Sequence, residues 1–218
     1  MTKVFLIPGL GADTRLYKNI VLPEVFERLL VDWIAPDTLD TLTTYAQKLV
    51  KQYNIQSGDI AIGDSLGGMI AVEIAKQVKL QKVILISSIK TADEAPWYFK
   101  LFQKVPVYKP IPASIMTKVG FMVKPVFGNM STEDLTIFQS MLANSSPVFL
   151  KWAMHAVLYF NNMEPISNLF HIIGDKDQVF PWKKIKDPTA IIKGGTHIMV
   201  FDRAGEINKL LADILQQP

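Results

Sequence analysis

The sequence contains no cysteine and only three histidines among its 218 residues. Without cysteine the chain forms no disulfide bond, and a cysteine nucleophile or a thiolate metal site is excluded. The absence of cysteine assigns no cellular compartment by itself. A histidine base, if the chemistry needs one, must come from His155, His171 or His197.

Long apolar runs and clusters of like charge are also missing. Lys and Arg are scattered along the chain, and 23 basic residues against 20 acidic ones give a net charge of +3. We therefore expect no nucleic-acid partner and no membrane span. The short apolar run before Pro8 predicts a first buried strand rather than a signal peptide, so cytoplasm is the expected location.

Apolar residues make up 49% of the chain, enough for one sizeable core, and we predict a single domain over residues 1–218. Short apolar runs alternate with helical patterns, which indicates an α/β fold: a doubly wound, mostly parallel six-stranded sheet covered by helices. The predicted strands are Lys3–Ile7, Leu29–Ile34, Asp59–Ile62, Lys82–Ser87, Leu169–Ile173 and Thr189–Ile192; the predicted crossover helices are Thr43–Asn54, the segment after Ser65, and Ala204–Gln216.

The segment Gly63-Asp64-Ser65-Leu66-Gly67-Gly68 stands between a predicted strand and a predicted helix. A nucleophile elbow requires this context, with glycines flanking a serine that the sharp turn holds in a strained conformation. The alternative is a glycine-rich helix start in which Ser65 is only an N-cap. Ser65 is the first candidate nucleophile.

Two later loops follow predicted strands and carry an acid and a histidine. The first contains Asp175 and Asp177 and ends at Pro181; the second is Gly194-Gly195-Thr196-His197. Nucleophile, acid, histidine is the chain order of α/β-hydrolases, unlike the orders in chymotrypsin and subtilisin. With the segment from Ile7 to Gly11, these motifs resemble the α/β-hydrolase superfamily over nearly the whole chain, most closely its small bacterial esterase-like members. The resemblance implies a minimal version of the fold, without the first two strands of the full family pattern.

The resemblance implies a Ser65, His197 and Asp177 triad. In the family's loop the acid stands three residues after the glycine, which selects Asp177 over Asp175, expected to be a turn former. Asp93, after the fourth strand, is a further and lower-ranked position for the acid. His197 is the expected base, while His155 on a helix and His171 in a strand are expected to be structural.

The family supplies an oxyanion hole from two backbone N–H groups, here those of Leu10 and Leu66. Gly9 and Gly11 flank Leu10 and let the chain approach the substrate. Asp64 departs from the family pattern, because many members carry a neutral residue or histidine at this position. A carboxylate facing the oxyanion would oppose its negative charge. We expect the Asp64 side chain to turn away from the hole.

Between about residues 90 and 164 the sequence shows helical patterns and no convincing core strand. In the hydrolase family an insertion at this point is a cap over the active site, and we predict a cap here. Ser131 and Asp134 resemble a capping box for a helix ending near Ala143, and Pro147 begins a second helix, Val148–Tyr159. Most large apolar residues are expected to hold the cap together and some to line an apolar acyl or alkyl pocket: Trp97, Phe99, Phe102, Phe121, Met122, Phe127 and Trp152.

These features predict a serine hydrolase that cleaves a small ester, thioester or related acyl substrate, with no metal or organic cofactor. Carbon–carbon bond hydrolysis and perhydrolysis use the same scaffold and stay open. The alternative from another class is a non-catalytic small-molecule receptor or binding protein on the same fold. The partner in either case is a small molecule, and the sequence leaves the oligomeric state open.

Overall fold

The computed structural model describes residues 1–106, Pro110 and 131–217. Within them, six strands form one sheet in the order β2-β1-β3-β4-β5-β6, and every neighbouring pair is parallel. The predicted α/β, doubly wound sheet is confirmed, and it is entirely parallel. The strands are β1 Thr2–Ile7, β2 Phe26–Leu30, β3 Ile60–Asp64, β4 Lys82–Ile86, β5 Leu169–Gly174 and β6 Ala190–Ile192.

Helices cover both faces of the sheet, and α2 connects the adjacent strands β3 and β4. In the described part of the chain, none of them is long and apolar enough to span a membrane. The predicted helix at Ala204–Gln216 is confirmed residue for residue. The α-helices are α1 Leu42–Tyr53, α2 Leu66–Ala75, α3 Trp97–Lys104, α4 Thr132–Asn144, α5 Pro147–Leu158, α6 Met199–Asp202 and α7 Ala204–Gln216.

Alternate side chains of each central strand enter two separate apolar layers. Ala61 and Leu85 pack with α1, α2 and α5 on one face, whereas Ile62 and Ile84 pack with α6 and α7 on the other. Because both faces are buried, these strands are continuously apolar instead of alternating. The continuous pattern is the reason that β3 and β4 could be located from the sequence.

The predicted boundaries of the second strand, Leu29–Ile34, are wrong. The strand pairs with β1 from Phe26 to Leu30, at the edge of the sheet, where Glu27 and Arg28 are exposed and weaken the apolar pattern. After Leu30 the backbone is held by two tyrosines of α1. The Tyr45 hydroxyl accepts a hydrogen bond from the N–H of residue 34, and the Tyr53 hydroxyl accepts one from the N–H of residue 32. Side chains of a helix therefore replace strand pairing there.

Between β4 and β5 the described chain holds α3, α4 and α5, in the region predicted as a cap. Ser131 caps α4, its hydroxyl accepting a hydrogen bond from the Asp134 N–H and donating one to the Asp134 carboxylate. Helices α4 and α5 begin and end within one residue of the predicted bounds. The cap boundary at about 90–164 stays a prediction, and Phe121, Met122 and Phe127 lie outside the described residues.

Close backbone contacts join β3, α2 and β1. A Cβ added to Gly63 would lie 2.2 Å from the carbonyl oxygen of Gly67, and one added to Gly67 would lie 2.0 Å from that of Ile7. Such distances are far below van der Waals contact, so only glycine fits at either position. These contacts fix α2 at the carboxyl ends of β1 and β3.

Replacing Gly67 by alanine should lower the free energy of unfolding by about 3 kcal/mol or more, because backbone atoms must move apart. Urea unfolding followed by circular dichroism measures the change. Gly205 in α7 is the matched control: nothing lies within 4 Å of an added Cβ. Gly205→Ala should be neutral or stabilising by up to about 1 kcal/mol. Equal effects of the two substitutions would contradict the steric argument.

Candidate active site

Ser65 stands at the junction of β3 and α2 in an unusual backbone conformation. Its φ is 51° and its ψ is −116°, a region that non-glycine residues rarely occupy. Although Ser65 is at the N-cap position, its side chain makes no capping hydrogen bond. The simple N-cap interpretation therefore does not describe Ser65, whose hydroxyl points elsewhere.

The Ser65 hydroxyl lies against His197, which in turn contacts Asp177. Ser65 Oγ is 3.0 Å from His197 Nε2, and His197 Nδ1 is 2.9 Å from Asp177 Oδ2 and 3.1 Å from Oδ1. A carboxylate only accepts, so Nδ1 carries a proton, and in its neutral form the ring presents an unprotonated Nε2 to the hydroxyl. The structure thus brings together the three side chains that the sequence analysis selected.

The loops carrying Asp177 and His197 are held together by their backbones. A Cβ on Gly174, at the end of β5, would lie 2.1 Å from the Gly195 carbonyl oxygen, and Lys176 N–H donates to that same oxygen at 2.9 Å. Asp175, expected to bond its own turn, instead accepts a 2.6 Å hydrogen bond from the Gly194 N–H. Its role is still structural, but it joins the acid loop to the histidine loop.

Asp177 is oriented by its own loop before it meets the histidine. Its Oδ1 accepts hydrogen bonds of 2.8 Å from the N–H groups of Val179 and Phe180. Phe180 also packs edge-on against the His197 ring, with centroids 5.5 Å apart. Phe180 was missed by sequence reasoning, because its only signal is its place just before Pro181 in the acid loop.

The other candidate acid and histidines lie elsewhere. Asp93 is at the surface, paired with Lys186 at 3.4 Å. His171 is fully buried within β5, where Nε2 contacts the Ser88 carbonyl oxygen at 3.0 Å. His155 is on α5, its ring 4.3 Å from that of Tyr159. Asp177 is the acid that contacts His197.

Leu66 follows Ser65 in the chain, and the loop that carries Leu10 approaches Ser65 through Gly9. Leu66 is the first residue of α2, where a backbone N–H has no acceptor within the helix. The loop of Leu10 passes close to the serine, since a Cβ on Gly9 would lie 3.2 Å from Ser65 Cβ. Their role as oxyanion donors stays a prediction that this arrangement supports.

The helices between β4 and β5 contact the site at two points. Leu142 of α4 and Leu150 and Met154 of α5 form an apolar cluster with Leu10. From the other side, the Tyr98 hydroxyl of α3 donates a hydrogen bond to the Val179 carbonyl oxygen in the acid loop. Helices α4 and α5 therefore place apolar side chains against the loop that carries Leu10.

A cleft of about 300 Å³ lies between the loop after β1 and helices α4 and α5. Ala12, Trp33, Met141 and Phe149 line it, but Ser65 does not.

Among the described residues, no group of three or more His, Asp or Glu side chains is placed to hold a metal ion.

Asp64 is buried under the loop after β1. Its Oδ2 lies 2.9 Å from the position of a Cβ on Gly9, and its Oδ1 has no hydrogen-bond partner among the described residues. Burial raises the pKa of Asp64 to about 7; the charge of His197 opposes this shift and that of Asp177 adds to it. The expectation that Asp64 turns away from the oxyanion hole stays a prediction.

Burial and charge act in opposite directions on His197. Burial alone would lower its pKa, but the charge and hydrogen bond of Asp177, together with the charge of Asp64, raise the pKa above its ordinary value. A raised pKa means that the site stabilises the protonated ring. The arrangement suits a histidine that takes a proton from the serine.

Comparison with known proteins identifies the fold. No protein-family model and no curated protein sequence matches the chain. A thermophilic esterase from Thermogutta terrifontis matches with a TM-score of 0.73 and 16% identity, over 99% of this chain and 90% of the esterase. A hydrolase from Pseudomonas aeruginosa PA01 matches with 0.78 and 15% over 99% and 90%, and one from Oleispira antarctica with 0.75 and 17% over 100% and 92%.

These neighbours are α/β-hydrolase fold proteins, and the present chain has the α/β-hydrolase fold. The similarity extends along nearly the whole chain, as the resemblance of the motifs implies. A fold hosts many activities, and the reaction depends on the side chains of the site.

The buried carboxyl of Asp64 should make stability depend on pH. Because the folded-state pKa of about 7 exceeds the unfolded value near 3.8, the stabilising contribution is complete below about pH 4 and is lost as the pH rises to about 7. An asparagine amide carries no charge at any of these pH values, so Asp64→Asn should gain stability relative to wild type by roughly 4 kcal/mol between pH 4 and pH 8.

Chemical unfolding of both proteins across this pH range measures the difference. Asp93→Asn is the control, because it makes the same substitution at an exposed position, where a change of side chain usually affects stability little. Parallel stability curves for wild type and Asp64→Asn would show that Asp64 ionises freely in the folded protein.

Proposed function

We propose that the protein is a serine hydrolase that cleaves a small ester, thioester or related acyl substrate through an acyl-enzyme. The observation that carries this proposal is the continuous contact from Ser65 Oγ to His197 Nε2 and from His197 Nδ1 to Asp177. A serine hydroxyl is a weak nucleophile until a base removes its proton. The solved structures of similar fold described as esterases and hydrolases support the same class of reaction.

In the proposed first half of the reaction, Ser65 Oγ attacks the acyl carbon and His197 Nε2 takes its proton. Asp177 holds the ring in the required tautomer and stabilises the imidazolium. The Leu10 and Leu66 N–H groups bind the oxyanion of the tetrahedral intermediate. His197 then gives the proton to the leaving alcohol or thiol, and the acyl group stays on Ser65.

In the second half, water replaces the alcohol. His197 removes a proton from water, the hydroxide attacks the acyl carbon, and Ser65 leaves with a proton returned from His197. The products are a carboxylic acid and the regenerated serine. These five residues supply every proton transfer and the charge stabilisation that the proposed reaction needs.

The apolar cluster around Leu10 favours a substrate with an apolar acyl or alkyl group. Leu142, Leu150 and Met154 pack with Leu10, the residue whose N–H is the proposed oxyanion donor. An acyl chain on Ser65 extending toward this cluster would exchange water for apolar contact. A short aliphatic ester such as p-nitrophenyl butyrate is therefore a suitable probe.

An activated Ser65 should react stoichiometrically with a fluorophosphonate, detected as one added group in the intact mass. Labelling should be lost in Ser65→Ala and His197→Ala, because the first lacks the nucleophile and the second its base. Hydrolysis of p-nitrophenyl butyrate should fall by about 10³-fold or more in both. Labelling that survives in Ser65→Ala would place the nucleophile elsewhere. A folded wild type that neither labels nor hydrolyses esters would favour the non-catalytic receptor.

Asp177→Asn separates the proposed acid from its competitor. Losing the carboxylate removes the preferred tautomer of His197, so kcat should fall by about 10³- to 10⁴-fold. Asp93→Asn, at the surface beside Lys186, should leave kcat within about twofold of wild type. The comparison uses steady-state hydrolysis of p-nitrophenyl butyrate. A larger loss in Asp93→Asn than in Asp177→Asn would reverse the assignment.

A further inference from the structure

The end of β4 holds the backbone of Ser65 on both sides of the residue. The Ser65 N–H donates a 3.0 Å hydrogen bond to the Ile86 carbonyl oxygen. The Ser88 hydroxyl donates a 2.6 Å hydrogen bond to the Ser65 carbonyl oxygen. The peptides before and after the strained residue are therefore tied to the neighbouring strand and the turn that follows it.

Ser88 is itself fixed by the next strand of the sheet. It is fully buried, and its carbonyl oxygen contacts His171 Nε2 at 3.0 Å. A carbonyl oxygen only accepts, so the His171 proton is on Nε2. Burial lowers the pKa of His171 to about 4, so the ring is neutral at physiological pH. The neutral ring needs just this one donor bond, and its unprotonated Nδ1 has no partner among the described residues.

A glycine makes room for the Ser88 hydroxyl. A Cβ added to Gly68 would lie 2.4 Å from Ser88 Oγ and 2.6 Å from Ser88 Cβ. The second glycine after the serine, beyond the pair that flanks the elbow, is thus explained by the close approach of Ser88. The absence of a side chain at Gly68 and the hydrogen bond to the Ser65 carbonyl both show that Ser88 packs directly against the elbow.

We propose that Ser88 and His171 are positioning residues that hold the Ser65 elbow so that its hydroxyl stays within reach of His197. His171 fixes Ser88, and Ser88 fixes the carbonyl of Ser65. Without these bonds the residue relaxes toward an ordinary backbone conformation and its Oγ moves away from His197 Nε2. The kinetic consequence of this inference rests on the proposed hydrolase function.

Ser87 provides a matched control beside Ser88. It is also fully buried, but its Oγ has no hydrogen-bond partner among the described residues. Its left-handed φ of 47° is as available to alanine as to serine. Ser87→Ala and Ser88→Ala therefore remove the same atom from neighbouring buried positions, and only one of them removes a bond to the elbow.

The first test is steady-state hydrolysis of p-nitrophenyl butyrate by both variants. Ser88→Ala should lower kcat by about 10- to 100-fold, as expected for a displaced nucleophile, with KM within about twofold. Ser87→Ala should keep both parameters within about twofold of wild type. Equal kcat values for the two folded variants would overturn the proposal.

The second test exchanges His171. The Nε2 of glutamine can occupy the place of the histidine Nε2, so His171→Gln should retain kcat within about threefold. His171→Met fills the volume without a donor and should lose about as much as Ser88→Ala. The double variant Ser88→Ala/His171→Met should lose little more than either single change, because both act through one contact. Fully additive losses, or equal kcat for His171→Gln and His171→Met, would show independent effects and overturn the link.

Crystal structures of the Ser88 and Ser87 variants give a readout independent of activity. In Ser88→Ala the distance from Ser65 Oγ to His197 Nε2, now 3.0 Å, should exceed hydrogen-bond range, while Ser87→Ala should keep it. An unchanged distance in both would overturn the proposal. If wild type is inert toward esters and fluorophosphonate, the proposed function fails, and this distance alone decides whether Ser88 positions Ser65. If Ser88→Ala does not fold, the His171 pair is crystallised instead, with the same displacement expected in His171→Met alone.

Discussion

The position of the active site depends on direct contact between backbone segments at the turn from β3 to α2, where no side chain lies between them. Gly63 and Gly67 meet at this point, and Gly67 also lies against the carbonyl of Ile7 in β1. The absence of Cβ atoms lets a helix begin directly on top of the sheet, with Ser65 at the apex of the turn. From this constraint follow the left-handed φ of Ser65 and the nearness of the Leu10 loop, since both are set by how closely β1 and α2 approach.

Glycines also allow direct backbone contact between the loop that carries Asp177 and the loop that carries His197. Gly174 and Gly195 bring their backbones into contact at the end of β5, and Asp175 adds a hydrogen bond between the loops. Parallel strands deliver all of these loops to one edge of the sheet, which is where ligands bind in open α/β folds. The position of the site is therefore set by the direction of the strands and by the backbone contacts at the glycines. The catalytic side chains are attached to loops whose positions the backbone already determines.

The buried polar groups around this frame divide into satisfied and unsatisfied ones. Asp177 receives two backbone N–H groups and a histidine, whereas Asp64 lies nearby with one oxygen lacking a partner in the described chain. Burial raises the pKa of Asp64 to about 7. The charges of Asp177 and Asp64 both raise the pKa of His197, so the electrostatics around His197 depend on whether Asp64 is ionised.

The sequence by itself determined the order of strands and helices along the chain. The central strands β3 and β4 are buried on both faces and therefore contain continuous apolar runs, which made them easy to locate. It also determined the identity of Ser65, Asp177 and His197 as candidates, because their loops follow strands in a recognisable order. Only the tertiary structure decided the rest. The edge strand at Phe26 has half-exposed residues and no clear pattern, and the bonds from Ser88 to Ser65 and from His171 to Ser88 join separate strands. Contacts between strands distant in sequence leave no local periodicity, so packing alone reveals them.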